Sequence, residues 1–189
     1  YHHILMIIMV INMKEIILAG GCFWGVEAYF QRLNGVIKTE VGYTDGVSEN
    51  PTYKEVCSGT TNHTEACKII YDENIITLKK ILEHLFRIID PTSLNRQGYD
   101  IGTQYRTGIY YKTAEDKEIA ENFIKDEAGK YNKPIVVDIK KESRFWNAEE
   151  YHQNYLIKNP KGYCHVDLNL IKDEEIKPHL DLEKILASN

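Results

Sequence analysis

At 189 residues, with 43% hydrophobic and 27% charged side chains, the chain suits one domain with a buried core. Its net charge of −5 argues against a nucleic-acid binder, which needs a basic face. Its four cysteines, Cys22, Cys57, Cys67 and Cys164, are too few and too irregularly spaced for a disulfide scaffold, which points to a reducing compartment, the cytoplasm.

The apolar run Ile4–Ile11 is too short to span a bilayer, and no basic residue precedes it, so neither a membrane anchor nor a secretory signal is expected. Leu18-Ala19-Gly20-Gly21-Cys22 has the look of a lipid-attachment box, but the charges at Lys14-Glu15 and the apolar Phe23-Trp24 do not suit one. Met13 is read as the native start. Residues 1–12 are then an upstream extension or expression remnant, and residues 13–189 a single catalytic domain with an extended C-terminal segment.

Lys14–Ala19 reads as a buried strand, followed by a helix from Phe23 to Asn34 whose stripe is Val26, Tyr29, Phe30 and Leu33. Val36–Tyr43 is a second strand and Ser48–Tyr53 a loop around Asn50-Pro51. Ala66–Tyr71 is a third strand. Leu78, Ile81, Leu82, Leu85 and Ile89 mark a helix stopped by Asp90-Pro91. Residues 92–106 show neither period, and a loop that long inside a compact domain is usually functional. Thr107–Tyr111 and Pro134–Ile139 read as strands on either side of a helix capped by Thr113 and Asp116, running to Ala128. Asn147 is expected to cap a last helix carrying Glu150 to Leu156, stopped by Pro160-Lys161-Gly162. This order predicts an α+β fold, a two-layer α/β sandwich with a mixed sheet and a ferredoxin-like split βαβ core.

Cys22 stands where strand gives way to helix, beside Gly20, Gly21 and Gly25. Free N–H groups and the helix dipole at that point favour an anion, so a thiol of lowered pKa, and hence a nucleophile, is expected. The spacing does not fit a tyrosine phosphatase, because Ala28 stands where arginine is needed, nor a P-loop or a CxxC dithiol. A Cys–His hydrolase using His63, His152 or His165 stays open. Phe23 and Trp24 make an apolar wall beside the sulfur, fit for a methyl group. Period-two alternation puts Glu65 on one face with Cys67, Ile69 and Tyr71, so its carboxyl is expected to be desolvated and to hold a proton near neutral pH. Cys57, His63 and Cys67 fit no standard zinc spacing, and Cys67 faces the core, so no metal site is expected.

Gly21-Cys22-Phe23-Trp24-Gly25 is similar to the active-site motif of the A-type peptide methionine sulfoxide reductases. The resemblance continues through Val41-Gly42-Tyr43, Asn50-Pro51-Thr52-Tyr53, His63-Thr64-Glu65-Ala66, Asp90-Pro91-Thr92, Asn95-Arg96-Gln97-Gly98, Asp100 with Gly102-Thr103-Gln104-Tyr105-Arg106, and Ala148-Glu149 with Tyr151-His152-Gln153. It implies that Cys22 attacks the sulfur of methionine sulfoxide, free or in proteins and of the S epimer, with Phe23 and Trp24 around the methyl group. It also implies Glu65 as proton donor, Tyr53 and Tyr105 holding the sulfoxide oxygen, and Asp100 contacting substrate. Cys22 is left as a sulfenic acid. Cys164 resembles the resolving position, giving a disulfide that thioredoxin or a similar dithiol reduces, with Cys57 as a competitor. No cofactor, nucleic acid or membrane partner is called for, and a monomer is expected. A module that merely switches through Cys22 and Cys164 is the non-catalytic alternative, and it leaves Glu65, Tyr53 and Tyr105 without a purpose. Asn62, Thr64 and Tyr99 depart from the usual family residues; Tyr99 lies beside Asp100 at the expected pocket mouth.

Overall fold

The computed structural model describes residues 13–178, 180 and 182–188. The expected extension at residues 1–12, with its apolar run, lies outside the described residues. Strand β1 (Met13–Gly20) runs antiparallel to both β3 (Thr64–Asp72) and β6 (Thr107–Tyr111), and β3 pairs antiparallel with β2 (Val36–Thr44) on its other side. Helix α1 (Phe23–Phe30) connects β1 to β2, so β1 and β2 point the same way with β3 between them, the expected split βαβ unit. Helix α3 (Leu78–Ile88) makes the second connection, from β3 to β6. Short strands finish the edges: β7 (Asp138–Lys141) lies parallel to β6, and β8 (Trp146–Asn147) antiparallel to β2. The six-stranded order β7-β6-β1-β3-β2-β8 is therefore mixed.

One face of the sheet carries the main core. Ile16 and Leu18 of β1, Val41 and Tyr43 of β2, and Cys67, Ile69 and Tyr71 of β3 pack there against α1, α3 and α4 (Ala114–Glu127). Phe86 of α3 meets Phe123 of α4 edge-to-face with centroids 4.9 Å apart, an arrangement worth about 1 kcal/mol beyond its buried area. The opposite face is a thinner layer of Ile17, Ala19, Ala66 and Tyr110 under Phe145. Thr77 and Thr113 cap α3 and α4 by accepting the N–H of Lys80 and Asp116.

Four expectations shift, each because a tertiary partner outbids local pattern. α1 ends at Phe30 rather than Asn34, since the next residues pair with the C-terminal segment: Asn34 N–H donates to the Glu175 carbonyl and Lys177 N–H to that of Arg32. The strand expected at Pro134–Ile139 begins only at Asp138, because Val136 N–H is taken by the Pro91 carbonyl. The helix expected after Asn147 is broken. Asn147 lies in β8, a 3₁₀ turn covers Glu150–His152, and α5 (Tyr155–Lys158) starts only after Asn154, which is left-handed with φ 55°. Buried Glu27 holds that kink by accepting Asn154 N–H at 2.7 Å. Finally, the aperiodic stretch 92–106 folds as a hairpin of β4 (Arg96–Gln97) and β5 (Asp100–Ile101) plus a 3₁₀ turn at Thr103–Tyr105. Gln97 ties the hairpin to the end of α3, accepting from Asp90 N–H and donating to its carbonyl. A five-residue helix α2 (Tyr53–Cys57), closed at its start by a Thr52–Glu55 capping box, follows the expected loop.

Candidate active site

The ends of β1 and β2 meet the starts of β3 and β6 at one edge of the sheet, and the site is built there. Cys22 is the residue that caps α1 at its N-terminus, with its thiol buried. Glu65 is the second residue of β3, 1% exposed, and stands directly across the ladder from Tyr43. Its Oε1 accepts the N–H of Phe23 at 3.1 Å, one of the first-turn donors that a helix cannot satisfy itself. Its Oε2 is buried with no protein partner.

Burial, with a smaller push from the Asp100 charge, raises the Glu65 carboxyl to about 8, although the Phe23 N–H pulls the other way. The direction of that shift is the one a carboxyl holding its proton near neutral pH requires. The expectation for Cys22 is reversed. Burial first, and then the Glu65 and Asp100 charges, hold its thiol well above the ordinary value, while the Trp24 and Gly25 N–H groups lower it only in part. The helix terminus was legible in the sequence, whereas the desolvation that outweighs it was not. Protonating Glu65 removes one of the two charges that oppose the thiolate, so the pair ionises as a unit.

Phe23 is buried in the main core, and Trp24 packs half-buried against it. Trp24 stacks on Tyr155 at 3.8 Å and 11°, and its indole N–H donates to His152 Nδ1 at 2.9 Å. Phe23 packs against Tyr43 and His152, with centroids 5.7 and 5.2 Å away. Tyr53 starts α2, meets His152 at a tilt of 51° with ring centroids 4.4 Å apart, and lies beside the Cys57 thiol. Tyr105 lies within electrostatic reach of Glu65, Asp100 and Cys22. Burial, and then the Glu65 charge, raises both phenols, so they remain hydrogen-bond donors. Asp100, on the hairpin, accepts the Tyr163 hydroxyl at 2.9 Å. Cys164 follows Tyr163, half-buried, its thiol directed to the Val166 carbonyl at 3.1 Å. Both Cys22 and Cys164 are free thiols.

Two contributors were missed although their motif was noticed. Glu149 accepts the Tyr43 hydroxyl at 2.9 Å and the Tyr53 N–H at 3.0 Å, tying β2 to the start of α2. His152, fully buried, is the hub on which Phe23, Trp24, Tyr53 and Tyr151 all rest. The hydrolase reading needs a histidine bonded to Cys22, and among the described residues no hydrogen bond joins one to it: His152 Nδ1 accepts the indole N–H, His165 Nε2 meets the Gly20 carbonyl, and the His63 ring packs over Gly46. Cys67 is fully buried in the main core. Among the described residues no three His, Cys, Asp or Glu side chains converge on a possible metal position, and no helix is long and apolar enough to cross a membrane.

Residues 14–183 match the family model for peptide methionine sulfoxide reductase. A relative from Clostridium tetani named peptide methionine sulfoxide reductase MsrA is 58% identical over 160 residues, 83% of this chain and 96% of its own. The crystal structure of Mxr1 from Saccharomyces cerevisiae in reduced form is 39% identical with TM-score 0.77, covering 82% of this chain and 90% of that one. The structure of Mxr1 in complex with Trx2 is 26% identical with TM-score 0.56, over 77% and 86% of the two chains. The family model spans nearly the whole described chain and the relative is covered almost end to end, so the chain belongs to the peptide methionine sulfoxide reductase family.

Proposed function

We propose that this chain reduces the S epimer of methionine sulfoxide, free or in proteins, with residues 13–189 acting as one catalytic domain, monomeric and cytoplasmic. The observation that carries the reading is Glu65: a buried carboxyl, raised to about 8, with one oxygen tied to the helix of Cys22 and the other unpartnered. An uncharged sulfoxide entering beside Cys22 gives Oε2 the acceptor it lacks.

The roles follow from the chemistry. The substrate methyl group rests on Phe23 and Trp24, and the sulfoxide oxygen meets Glu65, Tyr53 and Tyr105, with Asp100 at the rim. Cys22 sulfur attacks as Glu65 delivers its proton to the oxygen, and the thiol proton restores Glu65. The sulfoxide S–O bond breaks and an S–O bond forms on Cys22. The substrate sulfur is thereby reduced by two electrons and Cys22 oxidised by two, to a sulfenic acid. Cys164 thiol then displaces the hydroxyl as water and forms the disulfide. The named Mxr1–Trx2 complex supports a thioredoxin-type dithiol as the reductant that reopens it.

An assay of racemic methionine sulfoxide with dithiothreitol, resolving the two epimers, tests the reading. Loss of the S epimer alone is expected. Consumption of neither epimer would overturn the proposal, and consumption of the R epimer would overturn the stereochemical part of it.

A further inference from the structure

His165 directly follows Cys164, and its ring lies in a notch on the loop that carries Cys22. Nε2 is 2.9 Å from the Gly20 carbonyl oxygen. A carbonyl only accepts, so the imidazole carries its proton on Nε2 and donates it there. A methyl group at Gly21 would stand 3.0 Å from Nε2, and one at Gly25 would stand 3.0 Å from Nδ1 and 3.1 Å from Val166 Cγ2. The glycines around the nucleophile thus leave room for the two residues that follow Cys164. Tyr163, just before it, is held by Asp100. Cys164 is flanked by contacts to the active-site loops on both sides, while its own thiol reaches only the local Val166 carbonyl.

We propose that His165 is a positioning residue for the second half-reaction, docking the segment of Cys164 onto the loop of Cys22 so that resolution of the sulfenic acid is intramolecular and fast. The inference rests on the reading of Cys164 as the resolving thiol. In that step the Cys22–oxygen bond breaks, the sulfur–sulfur bond forms, and the Cys164 proton leaves with the hydroxyl as water; the oxidant is the sulfenic acid itself. Docking raises the effective concentration of one thiol at the other without touching the sulfoxide chemistry.

The test is a single turnover without reductant, following methionine release, loss of free thiols, and sulfenic acid trapped by dimedone. With His165→Ala, one equivalent of methionine is expected at the wild-type rate, with disulfide formation about tenfold slower and dimedone adduct accumulating; that factor is the size expected for one lost hydrogen bond and its packed ring. His165→Gln, which keeps an N–H for the Gly20 carbonyl, is expected to recover most of the rate, and it serves as the readable variant if the alanine form does not fold. Wild-type disulfide formation in His165→Ala would overturn the proposal. So would an equal slowing of methionine release, which would make His165 a support for the nucleophile instead. Cys164→Ser is run in parallel: if it still loses two thiols per turnover, the resolving assignment fails, whatever His165 does.

Discussion

Glu65 touches the nucleophile's helix through a single bond, from Phe23 N–H to Oε1 at 3.1 Å, and leaves Oε2 facing inward with no protein partner. That one-sided tether makes its proton the first quantity to test. With the carboxyl raised to about 8, the wild-type rate should hold on the neutral side and fall as pH passes about 8. Glu65→Gln is expected to lower the chemical step by about 10²-fold or more near pH 7, the scale of general-acid catalysis, and to erase the alkaline limb. A variant with wild-type rate, or with the same alkaline fall, would remove Glu65 as donor.

The same residue carries a stability signature. Its folded value, about 8, lies above the ordinary carboxyl value of 4.5, so between those values the folded chain keeps a proton that the unfolded chain has lost. Stability contributed by the neutral carboxyl is therefore full below about 4.5 and falls as pH rises towards 8. Glu65→Gln, with nothing to ionise, should unfold at a higher temperature than wild type at pH 8–9, and the two should converge near pH 5. Thermal unfolding across that range decides it.

Cys22→Ser is expected to abolish methionine formation outright, since no other thiol stands at the helix start. Cys164→Ser should release one methionine per enzyme and then stall with a thioredoxin system. Quench-flow with amino-acid analysis separates these outcomes, and full cycling of Cys164→Ser would transfer the resolving role, with Cys57 next in line through its contact with the Tyr53 hydroxyl.

Glu149 joins Tyr43 and Tyr53, so Glu149→Ala orphans a buried hydroxyl and the first N–H of α2 at once. We expect a loss of about 1–3 kcal/mol in stability and a raised KM, with Glu149→Gln recovering one of the two bonds. Denaturant titration and steady-state kinetics on the two variants check this.

The described C-terminal segment should come loose in acid. Glu175 forms a two-pronged pair with Arg87 at 2.7 and 2.8 Å and is drawn down to about 2, chiefly by that guanidinium. His84, buried and bonded to the Tyr29 hydroxyl at 2.7 Å, is lowered to about 4 by its desolvation. A histidine lowered on folding loses stability as pH falls from about 6.5, and a carboxylate lowered on folding loses it from about 4.5 downward, so the two add in the same direction. Glu175→Ala should flatten the acid transition below about pH 4.5 and, by removing the charge that holds His84 up, steepen the loss between about 6.5 and 4; pH-dependent unfolding of both forms reads the difference.

Much of this was legible in the residues. Period-two alternation placed Glu65 at the head of a buried row, and three glycines around a cysteine placed the nucleophile at a helix start. What was hidden depends on contacts distant in sequence. Asparagine tolerates left-handed backbone, yet which asparagine takes it is set at a distance: Glu27, 127 positions before Asn154, fixes the kink through one carboxyl oxygen. The upward push on the Cys22 thiol was equally hidden, because a helix dipole is written in the sequence and a burial depth is not. His152 read as a spare base until the indole was found to occupy its acceptor nitrogen.

The acid sits on β3, a strand flanked by β1 and β2. The backbone of Glu65 is registered opposite Tyr43 of β2, and its carboxyl is tied to the Phe23 N–H, so sheet and helix together hold it in place. Cys164 belongs to no strand and no helix. The fold therefore separates two mechanical demands: the carboxyl is built into the frame, and the second thiol rides on irregular chain that Tyr163 and His165 pin to the loops around the first.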